Sequence, residues 1–531
     1  MSEISPRGVI AAAIAAALLA NAAAASESCT LELKRLDPPK AGQGYTPAML
    51  LFRSGSPQHF FMQTGPEGGG VATSQSAAEF AKIVKKEAKY VSKHPFRGVA
   101  KLGDDQYAFA LDALPPAEKD AAESKTDKPA AKPEKQAKGP GSAPAKPAAK
   151  ASQPERYARL FFDLNRNGDL TDDKVIEAQD RPERGLRGYP AGYWQAQFPR
   201  VDLAIRAGDA KVDWSFFFSV YSHSSPGFSY VSASLNAAAY REGQITLEGK
   251  SRRVVLLDYN SNGRFDDQTQ IRGAMRGPGE RLYPAPGDVL MLDPDAQQGF
   301  VSPFGMAAEG GRHQVSKMVN IDGRFYDLAI TPSGDKLTLT PSAVALGKIT
   351  NPAKRFQATV YGDQGFLQIR GGKSQPVELP EGEWKLLSYT IEHTGAEEPE
   401  PPPPEKNEPA AKDSSLLRAL AKALVGGPQS AVPGALRQRN SMVSAQGTEA
   451  CKAVRVRKGE TVAFPFGPPY KPLVKVEYAS GAEARLELLL VGAAGEICSN
   501  LMVRGDRPDA PEFTITDPNG KVVEQGRFKY G

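Results

Sequence analysis

Apolar and polar side chains alternate through most of this chain, and a period of two predicts β-strands. Along Val212–Tyr221, the residues Trp214, Phe216, Phe218 and Val220 fall on one face. The same alternation runs through Thr30–Leu36 and Glu483–Val491. Turn signals separate such runs: Gly103-Asp104-Asp105 inside 98–112, Asp322-Gly323, Pro332 to Gly334, and Asp517 to Gly520. Two stretches carry the helical period instead. Ser76 to Glu79 fits a capping box, after which Phe80, Ile83, Val84 and Val91 recur at helical spacing. Ser415 to Val425 is amphipathic and is stopped by Gly426 and Gly427. The pattern predicts a mainly β protein of several β-sandwich modules with one or two short helices.

Composition divides the pattern. Residues 114–154 and Gly395–Lys412 are rich in Pro, Ala, Lys, Glu and Ser, and they offer no apolar face. Such segments bury too little surface to offset their ordering entropy and are expected to be disordered. The predicted modules are therefore 29–197 with an insertion at 114–154, then 198–345, 346–394, a linker 395–447 carrying the short helix, and 448–531. At the N-terminus, Arg7 precedes the apolar run Val9–Ala20 and then small residues up to Ser26, the arrangement of a secretory signal peptide spanning 1–25. Export to the periplasm or cell exterior follows as the expectation. No later stretch is apolar enough to span a bilayer. In an oxidising compartment, Cys451 and Cys498 are the natural pair for a disulfide, with three free thiols the alternative.

Candidate chemistry concentrates in two loops that follow apolar runs. The first reads Asp163, Asn165, Asn167, Gly168, Asp169, Thr171, Asp172 and the second Asp258, Asn260, Asn262, Gly263, Arg264, Asp266, Asp267. Calcium takes six to eight oxygens from a tight turn, drawn in an EF-hand loop from positions 1, 3, 5, 7, 9 and 12 with Gly at 6. Asp, Asn and Asn at 1, 3 and 5 with Gly at 6 occur twice here. The carbonyls of Asp169 and Arg264 would serve position 7, and Thr171 and Asp266 position 9. Position 12 is Lys174 in one loop and Thr269 in the other, so Asp172, Asp173 and Asp267 are the available substitutes. Both loops follow strands where an EF-hand has a helix. Low ligand charge predicts weak binding, about 10⁻⁴ to 10⁻³ M. Asn-Gly between strands is equally a hairpin signal without metal.

Over about ten residues each, the loops resemble EF-hand-like and dockerin-like calcium loops. Over residues 98–531 the chain loosely resembles the exported, multi-domain bacterial β proteins that carry them, a resemblance that assigns no activity. Leu379-Pro380 with Gly382 and Trp384 resembles the turn of prealbumin-like modules, and 448–531 reads as an Ig-like sandwich. These resemblances imply calcium as the bound ion and a structural or binding role, with a protein or glycan of the cell envelope as partner.

Other function classes find less support. The net charge is only +5, and much of the lysine sits in one biased run, which argues against nucleic acid. The five histidines form no zinc motif, and no Gly-x-Ser-x-Gly elbow occurs. The competing reading is an exported hydrolase or carbohydrate-binding protein assembled from separated loops. His223 would be its catalytic candidate, and Tyr189, Tyr193 and Trp194 its sugar-stacking rings, core packing of these rings being the favoured account.

Overall fold

A computed structural model describes residues 26–38, 52, 54–64, 70–72, 74–114, 155–179, 193–225, 228–276, 280–294, 311–393, 441–480 and 483–529. The leader 1–25, the insertion 115–154, Tyr189 and the helix expected at 415–425 lie outside the described residues. The protein is mainly β, built from several separate sheets. It divides into two compact units, the first comprising residues up to 276 with 283–344 and 361–368, the second 277–282, 345–360 and 369–531.

Four antiparallel sheets make up most of the first unit among the described residues. One is the hairpin Phe96–Leu102 and Asp105–Ala113, extended by Tyr157–Phe162 and Ile176–Glu177. A meander follows, in which Val201–Ala207, Ala210–Ser225, Phe228–Ala237 and Gln58–Thr64 lie side by side. The third pairs Ala239–Leu247 with Lys250–Leu257, and Lys250–Leu257 with Val289–Leu292. The fourth contains Met318–Ile321, Arg324–Ile330 and Lys336–Pro341. Near the N-terminus the chain joins two of them, for Glu27–Thr30 pairs with Lys336–Pro341 and Glu32–Arg35 with Ala239–Leu247.

One apolar core serves strands from both sides of residue 197. Trp214, Phe216, Phe218 and Val220 all point inward, as their alternation predicts. Phe109 is the hub: its ring lies 4.8 Å from Phe60, 5.1 Å from Phe218, 6.1 Å from Phe96 and 6.2 Å from Phe162. Burying each such ring is worth about 1.5–3 kcal/mol. The strand that feeds the first Asn-Gly loop, Tyr157–Phe162, is therefore fixed by the same rings that hold the meander.

The helix over Phe80 and Ile83 forms as Ser74–Ile83. Its start lies two residues before the expected cap, and Val91 stands beyond its end, exposed at 44%. Only Phe80, Ile83 and Val84 of the predicted stripe pack, against Val99, Ala108, Phe161 and Leu170. The apparent helical position of Val91 is a coincidence of spacing after the chain has left the helix.

In the second unit, Leu346–Thr350 pairs with Val377–Pro380 and, in parallel, with Thr461–Ala463. Gly382–His393 pairs with Ser441–Gln446, which in turn pairs with Ile497–Met502. The turn at Leu379–Trp384 closes on itself, the buried indole N–H of Trp384 donating to the Pro380 carbonyl at 2.8 Å. The three thiols are free, which corrects the pairing expected of Cys451 and Cys498. Cys451 Sγ instead accepts the Thr448 N–H at 3.3 Å. Burial pushes Cys29 up to about 11 and Cys498 up to about 12, so none is a ready thiolate.

Candidate metal corners

Two Asn-Gly loops fold alike, atom for atom, over their first half. Each leading aspartate is buried and folds back over its own turn. Asp163 Oδ1 and Oδ2 accept the N–H groups of Asn167 and Gly168 at 3.1 and 3.0 Å. Asp258 does the same for Asn262 and Gly263 at 3.0 and 2.7 Å. The next elements repeat as well: Asn167 Oδ1 accepts the Asp169 N–H at 2.7 Å, and Asn262 Oδ1 the Arg264 N–H at 2.9 Å. Backbone angles match too, with φ of 60° at Arg166 and 61° at Ser261, and 82° and 81° at Gly168 and Gly263. Glycine is required at the latter pair. A Cβ at Gly168 would lie 2.5 Å from the Ile83 carbonyl oxygen, in a conformation that L-residues avoid.

Carboxylates then close each corner. Asn165 and Asn167 turn their amide nitrogens to Asp172, at 3.4 and 2.6 Å. Asn260 and Asn262 turn theirs to Asp267, at 3.0 and 2.6 Å. A further carboxylate caps the residue after the leading aspartate, and here the corners differ in origin. In the first corner Asp173 accepts the Leu164 N–H at 3.1 Å from within the loop. In the second, that position belongs to Asp288, which accepts the Tyr259 N–H at 3.1 Å and the Asp267 N–H at 2.9 Å.

Asp288 is the residue that sequence reading misses. It sits at the start of Val289–Leu292, and its own N–H donates to the Asp267 carbonyl at 2.7 Å. The preceding Gly287 allows this approach, since a Cβ there would stand 2.3 Å from that same oxygen. Its only signal in the sequence is an acidic residue after Pro-Gly at the head of an apolar run. Position 12, where an EF-hand loop carries a carboxylate, holds Thr269, whose hydroxyl accepts the Gly287 N–H and donates to Gln314.

Not every expected ligand faces a corner. Asp266 is held by both arms of Arg264, at 3.1 and 3.0 Å. At Asp169, where the expected ligand is the carbonyl, the carboxyl accepts the hydroxyl and N–H of Thr171 and pairs with Lys86 at 2.9 Å, contacts that pull it down to about 2. Among the described residues, the side chains as they stand bring no three acidic, histidine or cysteine groups to one metal point.

The second corner is electrostatically unfavourable on its own. Asp258 is 1% exposed and Asp288 fully buried. Burial holds both carboxyls above the usual range. Asp267 adds to the rise at Asp258, against the pull of the Gly263 and Asn262 N–H groups, while Asp258 and Asp267 both add at Asp288. In the first corner, burial followed by Asp172, Asp163 and Asp169 raises Asp173. One buried oxygen of the second corner, Asn260 Oδ1, has no hydrogen-bond partner among the described residues. Buried acceptors are normally paired, and neighbouring carboxylates in low dielectric either keep a proton or take a cation. This donor set, all oxygen and rich in carboxylate, fits a hard divalent ion such as calcium.

The other sequence candidates sit elsewhere. Trp194 is buried in the core, and Tyr193 and His223 pair across neighbouring strands of the meander. Comparisons with protein-family models, curated proteins and solved structures find no match to this chain. What fold and corners define is a multi-sheet β protein with two matching, carboxylate-lined turns. No helix among the described residues is long and apolar enough to cross a membrane.

Proposed function

We propose that this is an exported, non-catalytic β-sandwich protein with a structural or binding role in the cell envelope, in which calcium fixes the two strand-to-loop corners. The observation that carries the reading is the second corner, where Asp258, Asp267 and Asp288 meet at one turn and Asn260 Oδ1 is buried with no hydrogen-bond partner among the described residues. Asp258, Asp267, Asp288, Asn260 and Asn262 would hold the ion there, and Asp163, Asn165, Asn167, Asp172 and Asp173 in the first corner. A half-turn of the Asn260 amide would bring its unpaired oxygen to a cation without breaking a bond that this oxygen makes, whereas Asn165, Asn167 and Asn262 already use Oδ1 to accept a backbone N–H and would give that bond up on turning. Bound calcium supplies charge neutralisation and a rigid link from strand to loop. Both corners hold three carboxylates, but the third of the second corner comes from another strand and is fully buried, which preorganises that corner as the tighter of the two.

Ligand linkage provides the test. Anything that binds only the folded state raises stability by about 2.7 kcal/mol at a hundredfold excess over Kd. A thermal melt in excess EDTA, repeated in 10 mM calcium, is expected to shift upward by several degrees. Equal melting temperatures under both conditions would reduce the corners to hairpin turns.

A further inference from the structure

We infer that the outer face of the meander sheet is a binding platform for an uncharged glycan. Cross-strand register sets its side chains in three rows. In the first row His223 lies between Tyr193 and Tyr230. The second has Tyr221 between Gln195 and Ser232, with Phe61 beyond Ser232. Ser219 lies between Gln197 and Ser234 in the third, with His59 beyond, and His59 Nδ1 and the Ser234 hydroxyl are 3.1 Å apart.

The rings of the first two rows form one continuous surface. Tyr193 and His223 are 4.2 Å apart, His223 and Tyr230 5.5 Å, and Tyr221 and Tyr230 5.8 Å. Phe61 stacks on Tyr230 at 5.6 Å and is 40% exposed. Neighbouring positions on the same strands, such as Trp194, Val220 and Val231, fill the core, so the outward rings are surplus to its packing.

The chemistry of the face selects its occupant. None of the described positions in the three rows is Asp, Glu, Lys or Arg, although 24% of the chain is charged. The contrast is local, because the adjoining strand Val201–Ala207 presents Asp202 and Arg206 to solvent. A nucleic acid or an acidic polysaccharide would need cations, which these three rows lack. Protein interfaces favour aromatic residues together with arginine, and they deplete serine. Aromatic faces bordered by amides and hydroxyls instead match a ligand with apolar C–H faces and a rim of neutral hydroxyls. Tyrosine serves both needs, with an apolar ring and a polar tip. That ligand is a neutral sugar chain.

The test uses the full chain in affinity electrophoresis and calorimetry. Its probes are three neutral polymers (hydroxyethyl cellulose, mannan and dextran) and two anionic ones, polygalacturonate and heparin. At least one neutral polymer should retard the protein, and Tyr221→Ala should weaken that binding at least tenfold with an unchanged melt. Phe61→Ser, at an exposed position, supplies a second variant should Tyr221→Ala fold poorly. Failure of all three neutral polymers to bind, preference for the anionic ones, or unchanged affinity in both variants would overturn the inference. So would a dimer in sedimentation that dissociates on Phe61→Ser, which would assign the face to a second copy of the chain. None of these outcomes bears on calcium, so the two readings stand or fall separately.

Discussion

Asp258→Ala is expected to cost about 5 kcal/mol in 10 mM calcium, as measured by urea unfolding. Two losses add. Removing the carboxylate leaves the N–H groups of Asn262 and Gly263 unpaired in a buried turn, at about 1–3 kcal/mol each. Calcium linkage at that corner, about 2.7 kcal/mol at a hundredfold excess, is lost with it. Relief of the repulsion with Asp288 and Asp267 offsets part of the first term, and only in EDTA, where no cation screens those charges. The variant should therefore lie much closer to the native protein in EDTA than in calcium. A loss of the same size in both conditions would mean that Asp258 serves the turn alone.

The second large effect is on pH dependence. Asp258 and Asp288 titrate above the usual carboxylate range in the folded protein, so it retains protons there that the unfolded chain has released. Their contribution to stability is complete below the ordinary carboxylate range and is lost as pH rises through the raised values. In EDTA, urea midpoints should be higher at pH 5.5 than at pH 8. Calcium, which competes for the deprotonated groups, should flatten or reverse that slope. Asp169, Asp202 and Asp335, whose carboxyls are lowered, act in the opposite sense. Asp288→Asn should remove much of the EDTA slope. A flat EDTA profile in the native protein would contradict the charge account of the corner.

How much of this was legible in the sequence depended on the range of each interaction. Alternation at Trp214, Phe216 and Phe218 reports a face of one strand, and those rings are buried. The repeated Asp-x-Asn-x-Asn-Gly is likewise a local device: Asx-type hydrogen bonds span only a few residues, so both loops could be read where they stood. Asp288 could not, because it enters the second corner through strand pairing of Val289–Leu292 with Lys250–Leu257. The joining of strands before and after residue 197 into one core was equally hidden, since register between distant strands leaves no periodic trace. Val91 shows the reverse error: it fits a local period, while the chain has already left the helix.

Direct calcium binding to the full chain, followed by isothermal titration after exhaustive chelation, tests the central claim most closely. The account predicts two sites of unequal affinity, the tighter one abolished by Asp258→Ala and the weaker by Asp163→Ala. A native protein that takes up no calcium at 10 mM would contradict it.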